Sequence, residues 1–313
     1  MPGPPYAPGR RRIWRPGRPV DLAATWGTLR RGGADPTWRV RHGWVFRGMN
    51  TPGGAVTLAV SVRAGDDEVL AQAWGSAGAV DWVLEALPTM LGSEDDQDGF
   101  EVRHDVLRRT WRSRSGWRVP KTGLVMEALI PAIIEQKVTG QEAFAGQRLL
   151  VRRFGSPAPG PGASMDLWVP PTPQQIVAIA SWQWLHMGIS PQRSDTVIRA
   201  ARTADRLEEV ALSDPEHAGA RLRAVPGVGL WTAAETAQRA LGHADAVSFG
   251  DYHVAKNIGW ALTGEEVDDA GLADLLAPYR PHRYRVQRLV ELAGLSRPRK
   301  GPRMAPRVHL PRR

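Results

Sequence analysis

The stretch Leu222-Arg-Ala-Val-Pro-Gly-Val-Gly-Leu-Trp-Thr-Ala233 constrains the fold more than any other part of the chain. A helix is predicted to end near Ala224, Pro226-Gly-Val-Gly229 to turn tightly, and a second helix to run from about Leu230 to Leu241. The two glycines let backbone N–H groups approach a ligand without an intervening Cβ. They stand at the start of a helix, where unpaired N–H groups and the helix dipole favour an anion. A nucleic-acid phosphate suits that place. An ordinary helical hairpin closed by glycines is the plainer alternative.

The rest of residues 100–295 also reads as helical. Thr172-Pro173, Ser190-Pro191 and Asp214-Pro215 each pair a capping oxygen with a proline whose missing N–H costs nothing at the first helical position. Three such starts in under 50 residues predict a multi-helix domain with short connections. Earlier helices are predicted over Arg103–Arg112, Gly123–Ile134 and Ala143–Phe154, with a Pro/Gly loop at Ser156–Gly162. Upstream, the apolar/polar alternation of Val20–Leu29, Trp38–Phe46, Ala55–Arg63 and Val69–Trp74 predicts four strands. Thr51-Pro-Gly-Gly54 and Gly65-Asp-Asp67 supply turns before the third and fourth. A helix over Val80–Leu91 completes an α+β N-terminal domain at 20–92, and Gly92–Gly99 reads as an acidic linker.

Charge separates the ends from the body. The chain carries +9 overall, but residues 1–19 hold five arginines and no acid, and residues 297–313 hold seven basic residues and no acid. The remainder, 29 basic against 32 acidic residues, is slightly acidic. The expectation is a flexible basic arm at 1–19 and a disordered basic tail at 296–313, either able to track a polyanion or merely to be solvated. With 42% apolar and 23% charged residues, a wholly disordered chain is excluded. The absence of cysteine removes disulfides, thiolate zinc sites, cysteine nucleophiles and cysteine-held iron–sulfur clusters. It is compatible with the cytosol, and no secretory signal or membrane span is expected. The histidines, among them His186, His217, His243, His253 and His282, show no metal-ligand spacing.

The hairpin and its continuation, His243-Ala-Asp-Ala-Val-Ser-Phe-Gly-Asp-Tyr-His-Val254, resemble the helix-hairpin-helix DNA glycosylases, and among them the bacterial 3-methyladenine enzymes. Glu127–Arg153, with Gln136 and Thr139, and Pro171–Arg202 resemble helices that precede the hairpin there; residues 20–95 resemble an N-terminal domain related to the TATA-binding-protein repeat. The resemblance covers roughly 20–295. It implies an α+β N-terminal domain followed by an all-α glycosylase domain, a double-stranded DNA partner carrying damaged bases, and a monomer in the cytoplasm, on the nucleoid when bound.

It also implies roles. Asp251 falls at the catalytic aspartate. A carboxylate there stabilises the positive charge that builds on deoxyribose as the N-glycosidic bond breaks, and orients or activates water. As a residue type it would serve equally as an N-cap. Asp245 is a weaker competitor in the same loop. Trp231 takes the place where some members carry a Schiff-base lysine, and no lysine occurs in Val225–Leu241, so strand cleavage is not expected. Its ring could stack on a flipped base or simply pack between helices. Glu235, one turn on, stands where the 3-methyladenine enzymes have an aromatic residue; it could hydrogen-bond a base amine, favour a cationic base, or be an ion-paired surface residue. Lys137 replaces an apolar wedge, leaving Gln136 to fill the gap of the flipped base. Tyr252 completes the candidate substrate contacts. Gly227, Val228, Gly229 and Thr232 are the candidate phosphate contacts. The backbone carbonyls of Arg223, Val225 and Gly227 would hold a monovalent cation; no other cofactor is expected. Two basic clusters, one from Arg103 to Lys121 and one of Arg280, Arg283, Arg285 and Arg288, could grip phosphates or be solvated faces. Two other readings stay open: a catalytically silent DNA-binding hairpin, and a glycosylase for oxidised bases.

Overall fold

The computed structural model describes residues 9–63 and 68–298. Arg10–Trp14 is strand β1, and Leu22–Trp26 is helix α1, which runs into a 3-10 turn at Gly27–Leu29. Strands β2 (Trp38–Arg41), β3 (Trp44–Thr51), β4 (Gly54–Arg63) and β5 (Glu68–Gly75) follow, then helix α2 (Ala77–Met90). The five strands make one antiparallel sheet in the order β1-β5-β4-β3-β2.

Three expectations are corrected here. The arm predicted over 1–19 includes an edge strand: Ile13 lies opposite Leu70, and the Arg10 and Arg12 guanidiniums reach Asp81 and the Leu84 carbonyl of α2. Basic side chains on the outermost strand disguised it as a tail. Val20–Leu29 is helical rather than extended, because Asp21 accepts the Ala24 N–H and starts a turn that drives Trp26 into the core. Trp38–Phe46 is a hairpin, not one strand: His42 and Gly43 both have positive φ, at 52° and 76°. Residues 1–8 of the arm, residues 299–313 of the basic tail and the turn at Gly65–Asp67 lie outside the described residues.

The sheet is covered on both faces, as the two-residue period of its strands requires. Val56, Leu58 and Val60 of β4 point with Met49, Val69 and Ala71 towards α2 and Trp26. Trp44, Phe46, Ala59 and Trp74 point the other way, onto Ala158, Met165, Leu167 and Val169. That second cover comes from the C-terminal half, from a small ribbon of β6 (Ser156–Pro157) and β7 (Trp168–Val169). The stretch 100–295 is therefore not purely helical, and its Pro/Gly loop closes the sheet.

The helices of the second half are α3 (Asp105–Ser113), α4 (Val125–Ile134), α5 (Gly140–Phe154), α6 (Pro173–Val177), α7 (Ser181–His186), α8 (Pro191–Arg202), α9 (Ala204–Glu208), α10 (Pro215–Arg223), α11 (Leu230–Thr236), α12 (Val254–Thr263), α13 (Asp269–Leu276) and α14 (Arg283–Leu292). The three proline starts are the beginnings of α6, α8 and α10, with Thr172, Ser190 and Asp214 as N-caps. One apolar cluster surrounds α4 and gathers Ile133, Leu150, Trp184, Val197 and Leu222. A second gathers Leu107, Ile258, Leu272, Leu276 and Leu289 from α3, α12, α13 and α14. The hairpin α10–α11 belongs to the first.

The acidic segment 92–99 does more than link. Asp95 is buried and receives two hydrogen bonds from Arg285 of α14, at 2.8 and 2.9 Å, and one from the Val119 N–H. The Arg285 guanidinium lies over the rings of Phe100 and Trp117, 5.6 Å from each centroid. A buried charge needs such a partner, and this one pins α14 against the sheet half.

Candidate active site

A cavity of about 310 Å³ opens where the two helical clusters meet, small but within the range of ligand sites. Helix α11 and the π turn that continues it, Ala237–Leu241, form one wall with Trp231, Glu235, Gln238 and Arg239. Asp251 and α12 form the second, and α14 the third with Tyr284, Gln287 and Glu291. Glu135, just after α4, and Thr28, beyond α1, close the rim.

Asp251 is fixed through both oxygens. Oδ1 accepts the N–H groups of His253 and Val254 at 2.7 and 3.1 Å, and Oδ2 accepts the Trp231 indole N–H at 3.1 Å. Asp251 is not the N-cap of α12, which is His253, but its carboxylate holds the turn into that helix and stands at the cavity. The indole bond also sets Trp231 against that carboxylate. Asp245 is removed from contention, since it caps α14 at the Arg283 N–H and pairs with the Arg283 guanidinium at 2.7 Å.

Glu235 lines the cavity and is also ion-paired, 92% out of solvent. Its carboxylate meets Arg239 at 2.8 Å and the Ser248 hydroxyl at 2.6 Å. Burial opposes its ionisation, but Arg239, Ser248 and Arg31 outweigh burial and hold the carboxyl below its ordinary range. Arg239 in turn donates to the Thr28 carbonyl at 2.8 Å, which brings the N-terminal half to the cavity. Burial pushes the Tyr284 phenol upward, so the third wall offers a neutral hydroxyl.

At the hairpin, Gly227 has φ 97°, and a Cβ there would stand 2.2 Å from Thr196 Oγ1. No side chain caps α11, whose N-cap is Gly229, and the first-turn N–H groups of a helix have no acceptor within it. Two phosphate candidates are corrected. The Val228 N–H donates to the Val225 carbonyl at 3.0 Å, and the buried Thr232 hydroxyl accepts from Gln136 at 2.8 Å, so of Thr232 only the backbone N–H in the first turn of α11 remains a candidate. Gln136 is corrected with them: its amide also donates to the Gly227 carbonyl at 2.9 Å, so it braces the hairpin and is not poised to fill a gap in DNA. Lys137 beside it is exposed, with φ 55°, at the tip of the α4–α5 turn. Tyr252 does not line the cavity. It is 68% exposed, with the Lys256 ammonium 4.1 Å and the Arg297 guanidinium 6.0 Å from its ring centroid. Arg297, expected in a loose tail, is tied to Glu266 at 2.7 Å.

Three of the four arginines of the second basic cluster are spent internally: Arg283, Arg285 and Arg288 pair with Asp245, Asp95 and Glu291, while Arg280 is exposed. In the first, Arg108, Arg114 and Lys121 pair with Asp105, Asp21 and Glu94. Sequence reasoning missed Glu135, Gln238, Arg239, Gln287 and Glu291. Gln238 and Arg239 follow Trp231 and Glu235 at helical spacing and were within reach of a periodicity argument. The α14 residues carry no local signal, because a contact across 36–60 residues is set by packing alone. Among the described residues no group of three His, Cys, Asp or Glu is placed to hold a metal ion, and no helix is long and apolar enough to cross a membrane.

No family model matches the chain. It is 29% identical over 169 residues to a probable bifunctional transcriptional activator/DNA repair enzyme AlkA of Mycobacterium tuberculosis, a match covering 53% of this chain and 31% of that protein. The chain thus spans about a third of the length of the curated relatives it matches. Its structure is similar to that of a 3-methyladenine DNA glycosylase from Archaeoglobus fulgidus, with a TM-score of 0.74, 18% identity and coverage of 91% of this chain and 98% of that one. It is also similar to an 8-oxoguanine glycosylase/lyase from Clostridium acetobutylicum, with a TM-score of 0.67, 12% identity and coverage of 92% and 99%.

Proposed function

We propose that this chain, which has the fold of the helix-hairpin-helix DNA glycosylases and carries their hairpin-and-aspartate signature, is a monofunctional glycosylase of base excision repair. It would release damaged bases, alkylated purines foremost, from nucleotides flipped out of duplex DNA. The observation that carries the reading is the contact between Asp251 and Trp231 at the edge of a cavity two residues from the hairpin turn.

The residues support a sequence of steps. The first-turn N–H groups of α11, together with Gly229, take a DNA phosphate. The damaged nucleotide leaves the stack more readily than its neighbours, because its pairing is already weakened. Its base enters beside Trp231. The bond from C1′ to the base nitrogen breaks, and its electron pair stays with the base. An alkylated purine that entered as a cation thereby leaves neutral and needs little acid catalysis. Asp251 stabilises the cation left on the sugar. Water adds to C1′ and gives up a proton, for which the carboxylate is the nearby acceptor. The described residues lining the cavity include no lysine, which supports hydrolysis without a Schiff base and hence without strand cleavage. The chain would work as a monomer on DNA. The carbonyls of Val225 and Gly227 each already accept one hydrogen bond, but a carbonyl has two lone pairs, so with Arg223 they remain fit to hold a monovalent cation that would stiffen the turn.

Base release from duplexes carrying single defined lesions tests this. Wild type should free a methylated purine, with strand breakage only after alkali, and Asp251→Asn should lose about 10²–10³-fold in single-turnover rate while still binding the duplex. Binding without release of any lesion would favour a silent DNA-binding module. Release of an oxidised purine in preference would assign the site to the other glycosylase class, and breakage without alkali would refute the monofunctional assignment.

A further inference from the structure

The cavity is lined by four carboxylates, Glu135, Glu235, Asp251 and Glu291, and one guanidinium, Arg239. Two further arginines offset two of the four, Arg31 against Glu135 at 3.0 Å and Arg288 against Glu291 at 2.9 Å, but neither lines the cavity. Both pairs therefore present their negative ends inward. An oriented pair of that kind attracts a cation placed at its carboxylate end, and attracts it more strongly where water is excluded.

Glu235 is different, because its charge is fixed by a chain of hydrogen bonds with only one possible direction. The Ser248 hydroxyl accepts an N–H from Gln238 at 2.9 Å and another from Gln287 at 3.1 Å. Its single proton is left for Glu235 Oε1, 2.6 Å away. Neither carboxamide can reverse. Gln238 also donates to the Ala246 carbonyl at 2.7 Å, while Gln287 accepts the Ser248 N–H at 3.1 Å and donates to Glu291 at 3.1 Å. That hydroxyl donates to Oε1 while the Arg239 guanidinium meets Oε2 at 2.8 Å, so donors face both oxygens and Glu235 stands in the wall as a carboxylate. The low pKa direction of this group agrees with the geometry.

We propose that Glu235, oriented by Ser248, Gln238 and Gln287, is the charge-reading residue of the base pocket, favouring damaged bases that carry a formal positive charge over neutral ones. The inference rests on the glycosylase reading above and assigns that site's selectivity. It places a carboxylate in the role for which the resemblance leads one to expect an aromatic face. Trp231 adds cation–π attraction from the same wall. A neutral damaged base gains from stacking but not from the charge of the carboxylates.

The test compares single-turnover release of 7-methylguanine, a cationic base in DNA, with release of hypoxanthine, a neutral one. Wild type should favour the cation, and Glu235→Gln should reduce the ratio of the two rates about tenfold or more, the size of effect one partly screened charge exerts at close range. Glu291→Gln, whose side chain is 40% exposed and tolerates exchange more readily, should lower the ratio by a smaller factor and serves if Glu235→Gln does not fold. An unchanged ratio in the folded variants overturns the proposal while leaving the glycosylase reading intact. Release of neither base by wild type counts instead against alkylated-purine release, the part of that reading on which the proposal rests. The charge assignment is then judged by calorimetric binding of 7-methylguanosine against guanosine: a preference for the cation that Glu235→Gln abolishes upholds it, and equal or undetectable binding of the two overturns it.

Discussion

The five-stranded sheet buries Val56, Leu58 and Val60 on one face and Phe46, Ala59 and Trp74 on the other, whereas the helices around the cavity bury arginines against carboxylates. The one arginine deep in the sheet, Arg47, points across the boundary to Glu127 of α4, beneath the rings of Trp26 and Trp38. Apolar burial is non-directional and scales with area, so the sheet contributes stability and a fixed platform. A buried ion pair is a weak source of stability but a demanding geometric constraint. The region that must hold a carboxylate at a defined place is built from such constraints. Arg239 joins the two regions, one arm on Glu235 and the other on the Thr28 carbonyl.

Arg285→Ala should show the largest effect. It strands the buried Asp95 and should cost about 3–5 kcal/mol, read by denaturant unfolding. It should also slow base release in the folded fraction, because α14 carries Gln287 and Glu291. If stability falls but release does not, α14 is not positioned by this pair. Leu58→Ala, fully buried in the sheet, should cost about 2–4 kcal/mol and leave the rate and base selectivity of the folded protein as they were. A change in selectivity would show that the sheet does more than support. Gly227→Ala should cost about 1–3 kcal/mol, because its φ of 97° and the approach of Thr196 both oppose a Cβ. Its larger signature should be weakened duplex binding with a shallower salt dependence. A DNA affinity equal to wild type would detach the hairpin from phosphate binding.

Much of the site was written locally. Pro226-Gly-Val-Gly229 and the helix after it, the capped starts of α6, α8 and α10, and the aspartate at 251 are signals within a few residues of one another, governed by backbone conformation and capping. They required no knowledge of what packs against them. The strands β4 and β5 were equally legible, since two-residue alternation follows from the geometry of a covered sheet.

What the tertiary structure decided are the long-range pairings. An arginine is the same side chain whether solvated or buried, and only the fold turned Arg283, Arg285 and Arg288 inward and made β1 of a basic arm. The acids at 94–96 read as a linker until Arg285 was brought to Asp95. Gln136 and Thr232 have the composition of DNA contacts, yet their hydrogen bonds are closed on each other. Glu235 was ambiguous for the same reason: its charge depends on Ser248, Gln238 and Gln287, and on a hydroxyl whose proton has one direction left to point. The sequence by itself determined which segments could turn, cap and alternate, because those properties are local. It could not determine which polar groups would lose water together, because that depends on three-dimensional neighbours, and desolvation is what gives a charge its chemical role.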